Sequence, residues 1–212
     1  MKDSLKDFCF ISHNLIDRSI IGDTIQMKNK LNTMYSSVLK QLNEETEIHS
    51  RRVGLLCEYL APQMGLDKEI AYKIGLLHDI GKVFIPSRIL KKNHGLTKLE
   101  REIIDLHSYY SYRLLKEMGE PPIIYMPALF HHGFWKIKLM QPDEPLTDEI
   151  IKYVYLIHAA DIFEAMTSKR SYHEPMTKNA VISHIQKDIM CTEEIVSLLK
   201  KMNVDEVFST DV

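Results

Sequence analysis

Apolar residues recur along most of this chain at helical spacing. In the stretch 45–64, positions 49, 53, 56 and 60 follow the i, i+4, i+7, i+11 pattern, so Val53, Leu56 and Leu60 share one stripe with His49. Similar patterns predict helices over 67–79, 97–118, 122–132, 148–168, 176–188 and 192–202, with Pro, Gly and Asn at the joins. No sustained alternation of apolar and polar residues is bounded by turn residues, so the chain reads as all-α. A further helical region runs through 23–43. Residues 1–43 carry no cluster of chemically capable side chains and read as an N-terminal helical extension to a domain spanning 44–212. One join is unusually long: GFWKIKLMQPDEPLTD, residues 133–148, has two prolines and no clear period, and links of that kind are often functional.

The stripes are interrupted by polar residues that point inward. His49 sits among Val53, Leu56 and Leu60, and Glu45 lies one turn earlier on the same face, close enough to share a ligand with it. The stripe of Ile70, Ile74 and Leu77 ends in His78-Asp79, where the last helical carbonyls are unpaired and the helix dipole disfavours a carboxylate; a bound cation would reverse that penalty. Ile103, His107 and Leu114 share a face. His131-His132 follows the apolar run 123–130, and adjacent residues diverge by about 100° on a helix. They would serve one metal jointly only at a frayed end, or else serve two neighbouring metals, and the second arrangement is the favoured one. Asp161 falls one turn from Ile157 and from Ala165, where an unpaired buried carboxylate is costly. Five imidazoles and three carboxylates thus occupy inward or terminal positions of five helices. Mixed His/carboxylate ligation suits iron, manganese, zinc or nickel, as in bundle sites where facing helices supply both groups. His13, His94, His158, His173 and His184 lack comparable partners in the pattern and read as surface or packing residues.

Bulk composition narrows the partners. The chain of 212 residues is 45% apolar and 26% charged with a net charge of -2, which gives no general attraction to a nucleic-acid polymer or a membrane surface. No apolar run approaches the ~20 residues of a membrane span, and the start, MKDSLKDFCFISHNLID, is interrupted by charges unlike a secretory signal. A cytoplasmic protein without membrane insertion is expected. Cys9, Cys57 and Cys191 are odd in number and far apart, which indicates neither a disulfide framework nor a thiolate zinc site. They read as small buried apolar residues.

Several segments resemble one family together. ETEIHSRRV at 45–53, LLHDIGKVFIPSRIL at 76–90, LTKLEREIIDLHSYYSYRLL at 96–115, HH at 131–132 and AADIFEAMTSKRSYHEPM at 159–176 are similar, in order and spacing, to the HD-GYP branch of the HD metal-dependent phosphohydrolases. The resemblance covers about 44–200. It implies a helical bundle with a five-helix core and additional helices around a buried centre of two or three divalent metals, foremost iron or manganese, with zinc or nickel as alternatives. The implied reaction is hydrolysis of cyclic di-GMP or a related cyclic dinucleotide by a metal-bound hydroxide. By resemblance the metal ligands are Glu45, His49, His78, Asp79, His107, His131, His132 and Asp161, with Asp79 bridging and Glu45 associated with a third metal. Lys82 is similar to the lysine that contacts the scissile phosphate, and Arg170 to an arginine that holds substrate phosphate.

The chain also departs from the family. Where the family carries HHERxDGxGYP, this sequence has HHGFWKIKLMQPDEP, so the GYP loop is absent. Glu164 stands where aspartate is usual, and His173 takes the place of a lysine often found three residues after the arginine. Both are counted with Lys82, Arg170 and Trp135 as substrate-binding residues, Trp135 or Phe134 either stacking on a base or, the favoured reading, anchoring the long loop. Two other functions fit the departures: a non-catalytic relative that binds a nucleotide and signals to a protein partner or as a homodimer, and an HD enzyme acting on another nucleotide phosphoester.

Overall fold

The computed structural model describes residues 38–41, 44–92, 95–134, 142, 144–169 and 174–209. The expectations placed on Trp135, Arg170 and His173, and most of those placed on 1–43, lie outside the described residues.

Among the described residues, ten α-helices and two 3-10 turns run from Glu44 onward and no strand is present. Helix α1 spans Glu44–Leu60 and runs into a 3-10 turn at Ala61–Met64, which closes on Gly65 in the left-handed region at φ 68°. Helix α2, Lys68–Leu77, starts where the Asp67 carboxylate accepts from the Glu69 and Ile70 amides. A 3-10 turn at Ile80–Phe84 and a short α3 at Ser87–Leu90 lead to α4 at Lys98–Asp105, which opens on a Thr97/Glu100 capping box. Helices α5 (His107–Glu117), α6 (Pro122–Phe130) and α7 (Asp148–Thr167) complete the part that carries the site, and α8 (Lys178–Ile185), α9 (Glu193–Lys201) and α10 (Val204–Phe208) follow.

Three of the expected helices end or break differently at a chemically capable residue, and those expected over 45–64 and 176–188 also end earlier, at Leu60 and Ile185. The stretch expected as one helix over 97–118 is two, because the Ile104 and Asp105 carbonyls are taken by the side chains of His107 and Ser108, which divert the backbone ladder. Helix α2 stops at Leu77, so Asp79 stands at φ -99°, ψ 4° at the head of the 3-10 turn, in the sparsely populated bridge region. Helix α6 stops at Phe130, and His131 and His132 occupy a turn closed by the Gly133 amide on the Phe130 carbonyl at 2.8 Å.

The core lies where α1, α2, α6 and α7 pack together, with α8 against α7 and α5 against α6 and the second 3-10 turn. Val53, Leu56 and Leu60 are fully buried, as are Tyr153, Val154, Ile157 and Phe163 on α7. Each such aliphatic side chain contributes roughly 1.5–3 kcal/mol on burial. Backbones of α1 and α2 touch directly: a Cβ on Gly75 would lie 2.7 Å from the Gly54 Cα. The described ends of the long link are pinned, by Phe134 packed on Phe130 and Tyr155 and by Glu144, which accepts from Lys116 at 2.6 Å and Tyr125 at 2.8 Å. No helix among the described residues is long and apolar enough to cross a membrane.

Candidate metal centre

Helix ends set the tautomers of three histidines. His78 follows α2, His107 begins α5 and His131 follows α6; each donates its Nδ1–H to the carbonyl three residues earlier, of Gly75 at 2.7 Å, Ile104 at 2.6 Å and Ala128 at 2.8 Å. Those carbonyls belong to the last turns of α2, α4 and α6, which lack intrahelical donors. With the proton held on Nδ1, each Nε2 presents a lone pair to the interior, the state a metal ligand needs. His49, from the buried stripe of α1, is oriented differently: Glu164 faces its Nδ1 at 2.5 Å, and its Nε2 lies 3.1 Å from Asp161 Oδ1.

The nitrogens and carboxylates gather into overlapping groups whose ligand atoms lie within 4.8 Å of one another: His107, His131 and His132; His49, His78 and Asp79; and His78, His131 and Asp161. His107 Nε2 is 3.2 Å from His131 Nε2 and 3.1 Å from His132 Nε2. Asp79 stands between the groups. Its Oδ1 faces His107 Nε2 at 3.1 Å, while its Oδ2 faces His78 Nε2 at 3.4 Å and His49 Nε2 at 3.7 Å and also takes the Lys82 ammonium. One carboxylate therefore addresses two sets of imidazoles with separate oxygens.

The donors present are suited to a cation. Lone-pair nitrogens of His107 and His131 face each other, which requires a proton or a metal between them. Burial, followed by the neighbouring His132, His78 and His107, holds the pKa of His131 well below that of an ordinary imidazole, which disfavours the proton. His78 Nε2 is buried with no hydrogen-bond partner. Burial opposes charge on Asp79 and Asp161, yet Lys82 and the histidines around Asp79, and His49, His78 and His132 around Asp161, keep both carboxyls well below their usual range and so ionised. Burial likewise opposes an imidazolium at His49, but Asp161 and Glu164 on its two sides raise its pKa. The set is nitrogen and oxygen without sulfur, which divalent first-row metals accept.

Of the residues singled out in the sequence, seven meet here: His49, His78, Asp79, His107, His131, His132 and Asp161. Glu45 is half-buried one turn before His49 and lines an adjoining cleft of about 370 Å³ with Ile48, Arg52 and Lys169, outside the three groups. Lys82 reaches Asp79 while keeping 19% of its side chain exposed. Glu164, counted with the substrate-binding residues, lines the same cleft as Glu45; it is 1% exposed, and its oxygens face His49 Nδ1, the Ser168 hydroxyl and, at 3.7 Å, Arg52, which places it to orient His49. Sequence reasoning missed His158, taken as an ordinary packing or surface residue; it is buried and donates Nδ1–H to the His131 carbonyl at 2.6 Å. Its position three residues before Asp161 on a wholly apolar stretch was the available signal.

Comparison with known proteins agrees with this geometry. A family model for the HD domain matches residues 46–166. The chain is 35% identical over 153 residues to a cyclic di-GMP phosphodiesterase of Thermotoga maritima, covering 65% of this chain and 40% of that protein. It is 28% identical over 162 residues to 3'3'-cGAMP-specific phosphodiesterase 1 of Vibrio cholerae, covering 74% of this chain and 37% of the relative. The chain thus spans about two fifths of the length of these curated relatives. The crystal structure of the HD domain of the L. monocytogenes phosphodiesterase PgpH superposes with a TM-score of 0.56 at 24% identity, over 82% of this chain and 96% of that one, which shows a shared fold.

Proposed function

The chain belongs to the HD domain family, and on that premise we propose that it is a divalent-metal-dependent phosphodiesterase whose substrate is a cyclic dinucleotide. The observation that carries this reading is Asp79, whose two oxygens face separate imidazole sets, an arrangement suited to a ligand shared by two cations. We assign His49, His78, Asp79, His107, His131, His132 and Asp161 as ligands of at least two metals, with Glu45 placed to serve a further one. Manganese or iron suits this nitrogen and oxygen set best. Such ions, when bound, polarise a phosphoryl oxygen and bring the pKa of coordinated water towards neutrality.

The chain's own residues supply the rest. Glu164 fixes the ring of His49, and the Gly75, Ile104 and Ala128 carbonyls fix those of His78, His107 and His131, so the donors need no rearrangement on loading. Lys82 neutralises Asp79 and can extend from its part-exposed position to an equatorial phosphate oxygen, stabilising charge that develops in the transition state. Arg170 is assigned to substrate phosphate by resemblance, while His173 and Trp135, which depart from the family pattern, are counted with it as substrate-binding residues. The substrate class follows the two curated relatives, which act on cyclic dinucleotides of different base composition.

Metal-stripped protein reloaded with manganese or iron tests the proposal, assayed against cyclic di-GMP, 3'3'-cGAMP and a small activated phosphodiester. Linear dinucleotide should form, stop on chelation and resume on re-addition of metal. A metal-loaded protein that hydrolyses none of the three would overturn the reading in favour of a non-catalytic relative. Turnover of the small diester alone would leave an HD enzyme for another phosphoester.

A further inference from the structure

On the far side of the His131 turn lies a second cluster that the proposed reaction does not use. His158 comes from α7, Asp188 from the segment between α8 and α9, and Cys191 from just before the Thr192 cap of α9. The ligand atoms of these three lie within 4.8 Å of one another, and both His158 and Cys191 are buried. We propose that His158 Nε2, Asp188 Oδ2 and Cys191 Sγ form a distinct site for a zinc-type divalent cation.

The directions of the donors support it. His158 spends its Nδ1–H on the His131 carbonyl at 2.6 Å, which leaves Nε2 as a lone pair, and that lone pair faces Asp188 Oδ2 at 3.1 Å. Two acceptors at that distance need a proton or a cation between them. Nε2 is buried and has no hydrogen-bond donor opposite it. The backbone second contact on a ligating imidazole is the usual way a zinc-bound histidine is oriented. Asp188 is itself held in place by the Met190 amide at 2.9 Å. Imidazole, carboxylate and thiolate are the three protein donors that zinc combines in tetrahedral sites. Cys191 also borders a surface cleft of about 330 Å³ lined by Gln186, Glu193 and Lys200. Burial, with Asp188 nearby, pushes the Cys191 thiol up to about 12, so without a cation this sulfur stays protonated.

This site is independent of the reaction proposed above, and it is tested without an activity assay. Metal-free protein, as the whole 212-residue chain, is titrated with cobalt(II) and, separately, with zinc, and bound zinc is counted by elemental analysis. A sulfur-to-cobalt charge-transfer band should appear in the wild type and persist in Asp79→Ala. Cys191→Ser should lose the band and Asp188→Asn should weaken it, each with loss of one zinc equivalent and an unchanged circular-dichroism spectrum. Absence of the band in the wild type, or its persistence with undiminished zinc in Cys191→Ser, would overturn the proposal and leave His158 and Asp188 as an ion pair behind His131. A wild-type cobalt spectrum without the band overturns the proposal even if a variant fails to fold.

Discussion

Asp79→Ala is expected to lower kcat/KM for phosphodiester hydrolysis by at least about 10³-fold, since Lewis-acid stabilisation is worth several kcal/mol and each tenfold is ~1.4 kcal/mol. The same substitution should reduce bound metal at the centre. No other carboxylate among the described residues has oxygens facing both His107 and the His49–His78 pair, so its loss removes the proposed bridge. The helical fold should survive. Deleting one member of a buried ion pair is costly when the remaining charge is trapped, but Lys82 keeps 19% of its side chain exposed and can turn to solvent. The stripes that close the core, Val53, Leu56 and Leu60 on α1 and Ile74 and Leu77 on α2, do not depend on Asp79. Steady-state kinetics, elemental analysis and far-ultraviolet circular dichroism on the same preparation check the three statements together. Retained turnover would refute the assigned role.

Gly81→Ala should be the most damaging small substitution near the centre, by about 3 kcal/mol, the upper part of the range for overpacking. For a chain of this size that corresponds to a fall in Tm of about 10 °C. Gly81 sits in the 3-10 turn directly behind Asp79, against the first turn of α5, and its amide donates to Ser111 Oγ at 2.8 Å. An added Cβ would lie 2.3 Å from both the His107 carbonyl oxygen and the Ser111 amide nitrogen. Those are backbone atoms, so relief requires moving α5 and with it His107, and metal affinity should fall alongside stability. Gly95→Ala gives the contrast: nothing lies within 4 Å of its Cβ, and only its φ of +69° opposes the change, a milder backbone cost of about 1 kcal/mol. Thermal unfolding of the two variants separates steric from backbone effects; equal losses would mean that α5 yields more easily than its packing indicates.

Much of the centre was legible because helical periodicity sorts residues by face. His49 among Val53, Leu56 and Leu60, and Asp161 below Ile157, could be placed inward from spacing alone, since an imidazole or carboxylate on an apolar stripe has to be partnered. The pairings across the bundle were not legible. Glu164 meets His49 from 115 positions away, and no local pattern brings the two together. The break at Leu106 was hidden for a related reason: the side chains of His107 and Ser108 compete with the backbone for the Ile104 and Asp105 carbonyls, whereas propensity over 97–118 favours an unbroken helix. The ends of α2 and α6 each fall two residues earlier than the apolar pattern suggests, which moves Asp79 and the His131-His132 pair off the helices and into turns. That displacement lets adjacent histidines converge on His107, which two neighbours diverging by about 100° on a helix could not do.

Metals lying between these groups are central to the proposed function, and an anomalous-difference map from crystals grown with manganese tests their presence most directly. At least two peaks are predicted, one among His107, His131 and His132 and one among His49, His78 and Asp161, with Asp79 touching both. Full manganese occupancy elsewhere, with no anomalous peak between those side chains, would contradict it.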